Sequence, residues 1–423
     1  MTPAARLQAA IEILDALDRT NRPADRFIRD WFRTRRYAGS KDRAGVGERV
    51  FAVLRRRAAL AWRMDDESPR ALVIASLEAE GRGHAVIEAL FDAGKYGPAP
   101  LSQAERTALA SPRTDPPPLW VQGEFPAFLE PELSRSLGDS LLDEMRATVE
   151  RAPIDLRANT LKASRDDMLA ELRGEAFAAE ATPYAPHGIR ILEHAGASAL
   201  SRSRAYLEGR FEFQDEAAQI ASLLCAAKPG EHILDIAAGA GGKALELAAQ
   251  MDNRGVIVAR DNDPIRLARL APRAARAGVT IIREEPATAE MPACAFDAVF
   301  VDAPCSGSGA WRRQPEQKWR LTRERLTELQ AIQDSLLDQA AHAAPARIVY
   351  ATCSLLACEN EDRVTAFLQH HPEFRIAPAA DIWRESTGSA PPSGLSEFFK
   401  ATPRTTGTDG FFVAVLIRGT ARL

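Results

Sequence analysis

The N-terminal part of the chain carries apolar residues at helical spacing. In the first run they recur three or four positions apart, at Leu7, Ile11, Leu14 and Leu17. Thr2-Pro3 ahead of them suits an N-cap followed by the first helical residue. The same spacing continues over residues 24–36, 46–63 and 70–95, and no strand-like alternation occurs before about residue 110. The pattern predicts an all-helical domain over residues 1–118.

A proline-rich run, Ser111–Pro118, closes this domain, because its prolines cannot extend a helix and favour an extended backbone. Residues 119–208 then combine a helical stretch near 131–151, a strand-like run at Ile154–Ala158 and a helix near 164–173. This mixture predicts a small α+β (RRM-like) module.

From about residue 210, short apolar runs alternate with helical stretches. The runs that predict strands are His232–Ile236, Val256–Ala259, Val279–Ile282, Ala298–Val301, Ile348–Ala351 and Phe411–Ile417. The helical stretches between them include 262–277 and 322–343. This alternation indicates a parallel sheet with crossover helices, so residues 209–423 are predicted to form a Rossmann-like α/β domain.

Composition agrees with several globular domains. A chain of 423 residues, 46% hydrophobic and 26% charged, has room for two or three domains with their own cores. The start lacks the apolar stretch of a secretory signal, and no run reaches about 18 uninterrupted apolar residues. A cytoplasmic protein without a membrane span is therefore expected, with a monomer as the default state.

Charge is distributed unevenly along the chain. The formal net charge is -4, yet residues 1–63 hold 15 Lys and Arg against 7 Asp and Glu, and the rest holds 39 against 51. A basic region on an acidic chain indicates a surface for nucleic-acid phosphates, although a solvated helical face would give the same pattern.

The cysteines and histidines show no metal-binding spacing. Five cysteines form no CxxC pair, and seven histidines belong to no HExxH motif. We therefore expect free thiols in a reducing compartment and no metal site. For Cys225 and Cys294 the expected role is that of a buried small apolar side chain.

A glycine-rich loop follows the first predicted strand of the α/β domain, and it reads Ala237-Ala238-Gly239-Ala240-Gly241-Gly242-Lys243. Small residues at the carboxyl end of a strand let backbone amides approach a ligand. Asp261, at the end of the next strand, suits the ribose hydroxyls of a nucleoside cofactor. A nicotinamide cofactor would fit this pair equally, although the GxGxxG register is absent, and a plain tight turn is a further interpretation.

Two cysteines follow later strands of the same sheet. Cys305 lies in the run Asp302–Gly309, and Cys353 lies in Thr352-Cys353-Ser354. Both belong to the sheet edge where the cofactor is expected. Methylation of cytosine at carbon 5 needs a thiolate that adds to carbon 6, an acid near ring nitrogen 3 and a base for the carbon-5 proton. A Cys–Asp–Cys set meets these needs.

Asp302-Ala303-Pro304-Cys305-Ser306 and Tyr350-Ala351-Thr352-Cys353-Ser354 resemble the signature motifs of the Nop/Sun family of RNA 5-methylcytosine methyltransferases. Supporting matches are Leu156–Leu161, Phe213–Ala217, Lys318-Trp319, Glu359-Asn360 and Asp409–Phe412. The resemblance covers about residues 120–420. The helical domain is similar to the NusB-like domain of the bacterial RsmB branch, whose substrate is 16S rRNA.

The resemblance implies a role for each motif residue. Cys353 would be the nucleophile at carbon 6, Cys305 would assist product release, and Asp302 would contact the cytosine near ring nitrogen 3. Lys243 would help to order the site. The implied contacts of S-adenosylmethionine (AdoMet) are Ala238, Gly239, Ala240, Gly241, Gly242, Lys243, Asp261, Glu285 and Asp302. The implied partner is RNA, in particular 16S rRNA or an assembling small ribosomal subunit.

This chain departs from the family pattern around the cofactor. The family loop usually reads Cys-Ala-Ala-Pro-Gly-Gly-Lys-Thr, and the Cys, Pro and Thr are missing here. Where the family carries an Asp after the third strand to contact the adenine, Arg283–Pro286 offers glutamates, of which Glu285 is the candidate. Arg260 stands where many relatives carry a smaller or apolar residue. These differences concern cofactor affinity more than the chemistry.

Other interpretations stay open on the sequence alone. In DNA cytosine methyltransferases the nucleophile follows a proline, which would point to Pro304-Cys305. The altered glycine loop is compatible with a non-catalytic RNA-binding or ribosome-assembly factor. Another RNA, such as tRNA, is a further candidate substrate.

Overall fold

The computed structural model describes residues 1–92, 94–111, 113–192, 197–289, 296–343, 345–392 and 394–419. They form two compact units, Met1–Glu150 with Trp311–Thr322 and Arg151–Ala310 with Arg323–Leu423. The three domain ranges proposed from the sequence stay predictions, and Cys294 lies outside the described residues. In the described part no helix is long and apolar enough to cross a membrane.

The first unit is helical throughout its described residues. Up to residue 150 its α-helices are α1 (Pro3–Leu17), α2 (Ala24–Arg33), α3 (Ser40–Arg55), α4 (Arg57–Met64), α5 (Pro69–Ala79), α6 (His84–Leu90), α7 (Gln103–Ala110), α8 (Leu119–Gln122), α9 (Glu130–Leu137) and α10 (Leu141–Ala147). The predicted cap of α1 is confirmed, since the Thr2 side chain accepts a hydrogen bond from the Ala5 amide. Apolar faces of α1, α3 and α5 meet in one core that contains Ile13, Val50 and Ile74.

The second unit begins with a small α+β module. Its elements are β1 (Ile154–Ala158), α11 (Arg165–Gly174), β2 (Ala179–Ala181), β3 (Gly188–Ile191), α12 (Ala197–Leu200), α13 (Arg204–Leu207) and β4 (Phe211–Phe213). The strands form an antiparallel sheet in the order β2-β3-β1-β4. The central strand β1 has the bounds predicted from the sequence, and its Leu156 packs with Met168 and Phe211.

The rest of the second unit surrounds a larger sheet. Its elements are α14 (Glu216–Leu223), β5 (His232–Asp235), α15 (Gly242–Gln250), β6 (Val256–Asp261), α16 (Pro264–Leu267), α17 (Leu270–Ala277), β7 (Ile282–Pro286), β8 (Ala298–Asp302), α18 (Pro315–Arg320), α19 (Arg323–His342), β9 (Arg347–Thr352), α20 (Glu361–His370), β10 (Phe374–Ala377), α21 (Ala379–Thr387), β11 (Phe399–Ala401), α22 (Pro403–Thr406) and β12 (Phe411–Arg418). Of these, α18 belongs to the first unit.

The sheet confirms the predicted parallel α/β core and adds an antiparallel part. Its order is β10-β12-β9-β8-β5-β6-β7, with β11 paired to β12. Strands β5 to β9 run parallel, whereas β12 lies antiparallel to β9. The strand order reverses at β5, whose neighbours are β6 on one side and β8 on the other. At such a reversal, crossover helices leave a crevice outside the carboxyl ends of the strands.

One strand prediction was wrong by several residues. The sequence pattern placed a strand at Val279–Ile282, but β7 covers Ile282–Pro286. Val279 instead closes helix α17, where its amide donates to the Ala274 carbonyl and its side chain is buried. Because β7 is the edge of the sheet, its charged residues face solvent and its sequence lacks a continuous apolar run.

The segment Trp311–Thr322 belongs to the first unit although its neighbours in sequence belong to the second. Glu316 accepts a hydrogen bond from the Ala24 amide at the start of α2, at 3.0 Å. Trp319 donates its indole N–H to the Leu54 carbonyl in α3, at 2.6 Å. The helical unit is therefore completed by a stretch of chain from far downstream.

Candidate active site

Three parallel strands end in an aspartate at the same edge of the sheet. Asp235 ends β5, Asp261 ends β6 and Asp302 ends β8. Asp235 and Asp302 line one cavity, together with Gln214, Arg266 and the glycine-rich loop. The reversal of strand order at β5 places this cavity in the crevice where open α/β sheets bind ligands.

The glycine-rich loop has the backbone shape that glycine allows. Gly239 has φ +59° and Gly241 has φ +80°, both in the left-handed region. A Cβ at Gly241 would lie 2.0 Å from Leu270 Cδ1, so a side chain there would have to displace the side chain of Leu270. Although the loop lacks the family's proline, it is tied to β6, because the Ala238 amide donates to the Arg260 carbonyl at 2.8 Å.

Asp261 is a buried carboxylate that organises the loop. One of its oxygens accepts from the Gly239 amide at 2.8 Å, and the other accepts from the Asp263 amide at 2.7 Å. Each carboxylate oxygen can accept more than one hydrogen bond, so contact with ribose hydroxyls remains open to it.

Lys243 and Asp302 form a half-buried ion pair beside the cavity. The Lys243 Nζ lies 2.5 Å from Asp302 Oδ2 and 5.1 Å from the centroid of the Phe411 ring. Burial alone would lower the pKa of Lys243, but the attraction of Asp302, together with Cys353 and Asp235, raises it. The lysine is therefore a fixed positive charge between the glycine loop and the cysteines.

Asp235 is a site residue that the sequence analysis missed. It is 1% exposed, and neither of its carboxyl oxygens has a well-formed hydrogen bond within the described part of the chain. Burial raises its pKa to about 8, with repulsion from Asp302 adding to the rise and Lys243 opposing it. The signal was an acidic residue within the apolar strand His232–Ile236, where a buried carboxyl needs a partner.

Because Asp235 is neutral in the folded chain up to about pH 8 and ionised in the unfolded chain above about pH 4, it lowers stability increasingly between these values. We expect Asp235→Asn to raise the melting temperature more at pH 8 than at pH 5. The difference in free energy between the two conditions should be on the order of 3 kcal/mol. Thermal unfolding of both proteins at the two pH values measures it, and an offset independent of pH would contradict the assignment.

The two motif cysteines meet at the ends of neighbouring strands. Cys305 lies in the loop after β8, and Cys353 directly follows β9, which pairs with β8. The Sγ atoms of the two cysteines lie 3.4 Å apart. The hydrogen bond to Cys353 and burial raise the pKa of the Cys305 thiol well above its usual value. Cys353 contributes to the raised pKa of Lys243, so this thiol interacts with the lysine ammonium.

Glu359 holds the two cysteine loops together. It is fully buried, and its oxygens accept from the Ser306 amide at 2.8 Å, the Ser306 hydroxyl at 2.5 Å, the Ser354 hydroxyl at 2.5 Å and the Gln333 amide group at 3.1 Å. Ser306 follows Cys305 and Ser354 follows Cys353. One side chain therefore fixes the spacing between both thiols, a role that its sequence match alone did not reveal.

A second cavity lies at the same edge of the sheet. It is lined by residues that end or follow β5, β6 and β8, Asp261 among them, and by residues of α19 that include Ile332 and Leu336. At its edge Arg260, 3% exposed, donates to Glu285 at 2.6 Å. Glu285 lies within β7 instead of following it, and its carboxylate is engaged by Arg260. The structure therefore brings the glycine loop, Asp261, Lys243, Asp302 and both cysteines to one edge and leaves Glu285 at its periphery.

Of the two cysteines expected to be buried apolar side chains, Cys225 is fully buried, which confirms that prediction. Burial raises the pKa of its thiol to about 11. It therefore belongs to the core and takes no part in the site.

A parallel sheet with one antiparallel strand beyond β9, a glycine loop after β5 and acids ending β6 and β8 define a Rossmann-like methyltransferase. Residues 222–417 match the model of the 16S rRNA methyltransferase RsmB/F family, and residues 125–197 match the ferredoxin-like domain of RsmF/B-like methyltransferases.

Individual relatives agree with this match. The chain is 31% identical to the probable ribosomal RNA small subunit methyltransferase B of Synechocystis over 70% of its length and 68% of that protein. It is 32% identical to the 28S rRNA (cytosine-C(5))-methyltransferase of Mus musculus over 70% of its length and 71% of that protein. The crystal structure of PH0851 superposes with a TM-score of 0.75 at 25% identity, over 99% of both chains. The chain belongs to the RsmB/F branch of the Nop/Sun methyltransferases.

Proposed function

We propose that this protein is an AdoMet-dependent RNA (cytosine-5) methyltransferase that attacks carbon 6 of its target with Cys353. The observation that carries the proposal is the pair of thiols 3.4 Å apart, next to the half-buried Lys243–Asp302 ion pair. A thiolate nucleophile, a fixed cation and a carboxylate at one edge are the groups that covalent attack on a cytosine ring needs.

The cavity residues fit AdoMet. Asp235, Asp261 and Asp302 bring three carboxyl groups to one edge, and Asp235 has no well-formed hydrogen bond in the described part. A ligand with a cationic ammonium and sulfonium would offset the cost of this acidic cluster. The proposed contacts are Ala238, Gly239, Ala240, Gly241, Gly242, Lys243, Asp261, Asp302 and, at the periphery, Glu285.

The protein's own groups divide the chemistry among them. The Cys353 thiolate adds to carbon 6, and carbon 5 becomes nucleophilic enough to take a methyl group, which AdoMet carries on a cationic sulfonium when bound. Asp302, oriented by Lys243, contacts the ring near nitrogen 3. Cys305, as a thiolate next to Cys353, then takes the carbon-5 proton, and the electron pair of that C–H bond re-forms the ring double bond and expels the Cys353 thiolate from carbon 6. A stacked target must first be flipped out or be unpaired.

The proposed substrate is rRNA, with a cytosine of 16S rRNA as the first candidate. Support comes from the family description and from relatives named as small-subunit rRNA methyltransferases. The mouse relative is named for 28S rRNA, so large-subunit RNA is the next candidate. We propose that the helical unit, in the role of a NusB-like domain, and the α+β module hold the RNA.

The residues of the site argue against two alternative interpretations. Cys305 as nucleophile, in the manner of DNA methyltransferases, is less well supported, because Cys353 is the thiol that interacts with the Lys243 ammonium. A non-catalytic assembly factor would have no need of the buried Glu359 network that fixes both thiols. Measurable AdoMet binding by calorimetry would count further against the assembly factor.

Bisulfite sequencing of rRNA from cells with and without the gene tests the proposal. We expect one protected cytosine in 16S rRNA to disappear on deletion, and to return with the wild-type gene or Cys225→Ala but not with Cys353→Ala. A change confined to 23S rRNA or tRNA would reassign the substrate. No change at any cytosine of these RNAs would overturn the proposal.

Deletion of residues 1–118 is a poor test of whether the helical unit binds RNA. The segment Trp311–Thr322 belongs to that unit, and its Trp319 donates a hydrogen bond to Leu54, so the truncation would remove the partners of this segment. Point substitutions on the surface of the unit separate RNA binding from folding.

A further inference from the structure

The helical unit carries a large groove that the proposed chemistry does not use. Its volume is about 1060 Å³, at the upper end of the range for sites that enclose a drug-sized ligand. One wall is the start of α1, and the other walls come from Trp31 in α2, Tyr37 in the α2–α3 loop, Arg70 in α5 and Tyr96 in the α6–α7 loop.

Two tyrosines in this groove have unusually exposed rings. Tyr37 is 71% exposed and Tyr96 is 70% exposed, although aromatic side chains of this size are mostly covered in folded proteins. Both line the same groove from different loops. Rings held apart from the core in this way present free faces for stacking.

Each exposed tyrosine directly follows a basic residue. Arg36 precedes Tyr37, and Lys95 precedes Tyr96, with the Lys95 Nζ 5.6 Å from the centroid of the Tyr96 ring. Arg36 and Lys95 are both exposed and have no ion-pair partner among the residues that the structure describes. The groove thus presents two exposed rings, each with a basic residue next to it in sequence, and the Lys95 ammonium lies over one of these rings.

A third ring continues the same pattern. The Arg35 guanidinium lies 3.6 Å from the centroid of the Trp31 ring, so a cation is stacked on that ring already. The one acid on the groove wall, Glu12, accepts a hydrogen bond from Gln8. Interleaved aromatic and basic side chains with little opposing charge are typical of surfaces that bind single-stranded nucleic acid.

We propose that this groove binds a single-stranded segment of the substrate RNA, with unpaired bases stacked on Tyr37 and Tyr96 and phosphates paired with Arg36 and Lys95. Unpaired bases expose the faces that the tyrosines need, whereas a duplex keeps its bases stacked internally. An apolar protein segment would cover the rings but leave both cations without counter-charges. The inference rests on the proposed function in that RNA is the substrate.

The test compares ring removal with ring retention in the full-length protein. The probes are a fluorescein-labelled oligouridylate and an RNA duplex of the same length, and fluorescence anisotropy gives the affinity. We expect Tyr37→Leu and Tyr96→Leu each to weaken oligouridylate binding about tenfold. Tyr37→Phe and Tyr96→Phe keep the ring and should bind like the wild type. The duplex should bind more weakly and be affected little by either change.

Charge removal provides a second measurement that misfolding would not imitate. Arg36→Gln and Lys95→Gln should each reduce the slope of log affinity against log salt by about one, since each removes one phosphate contact. Leu variants with wild-type melting temperature and unchanged oligouridylate affinity would overturn the proposal, and so would groove-dependent binding of a ribosomal protein without RNA.

The experiments distinguish rejection of RNA binding in the groove from rejection of the proposed methyltransferase function. Wild-type protein that methylates rRNA, with Leu variants that bind oligouridylate normally, rejects the groove alone. Ring-dependent oligouridylate binding by a protein whose deletion changes no cytosine rejects the methyltransferase assignment and supports the groove.

Discussion

Cys353→Ala is expected to lower the rate of methyl transfer by at least about 10³-fold, because it removes the sulfur that is proposed to form the bond to carbon 6. Cys305 lies 3.4 Å away, and an adduct assay on the two single variants tests whether it can replace Cys353. The measurement is transfer of tritiated methyl groups from AdoMet to rRNA under single-turnover conditions. Cys225→Ala is the matched control, since it removes a buried thiol outside the site.

The partner variant Cys305→Ala separates the roles of the two thiols. It should stall after methyl transfer and accumulate protein covalently linked to RNA, visible as a slow band on a denaturing gel. The double variant with Cys353→Ala should show no such band. A covalent band from Cys353→Ala alone would assign the nucleophile to Cys305 and reverse our interpretation.

Glu359→Gln should give the second largest effect, about 100-fold on the rate of methyl transfer. The carboxylate accepts four hydrogen bonds, two on each oxygen, and a glutamine of the same size has only one acceptor oxygen. The bonds that hold Ser306 and Ser354 are broken in part, and small displacements of reacting groups cost rates of this order.

Glu359 does not line the cofactor cavity, so AdoMet affinity of the Glu359→Gln protein should stay close to that of the wild type. Calorimetry and single-turnover kinetics on the same preparation measure the two quantities. Glu328→Gln, at an exposed position of α19, is the control for charge removal. An equal loss of AdoMet affinity and rate would show that Glu359 supports the whole fold and does not position the thiols specifically.

The sequence predicted correctly those helices and strands that a short stretch of neighbouring residues specifies. The cap at Thr2, the strand Ile154–Ala158 and the parallel strands with continuous apolar runs all appear in the structure. The edge strand β7 was misplaced, because a strand with one neighbour needs few apolar residues. The antiparallel arrangement of β12 beside β9 depends on pairing between distant segments, which periodicity does not report.

The same distinction applies to the site. Four site residues were predicted from short sequence motifs that follow predicted strands: Lys243, Asp302, Cys305 and Cys353. Asp235 was read only as part of an apolar strand, and its significance comes from its burial without well-formed hydrogen bonds. The function of Glu359 arises from three partners on different segments, so no local pattern could disclose it.

The location of Trp311–Thr322 also sets the order in which the chain can mature on the ribosome. Domains of a multidomain protein usually fold in turn as they emerge, beginning at the N-terminus. Here α2 lacks the Glu316 cap and α3 lacks its bond to Trp319 until residue 322 has been synthesised. A nascent chain halted after β8 would carry a helical unit that still lacks Trp311–Thr322, so the N-terminal unit finishes folding only once synthesis is well into the second unit.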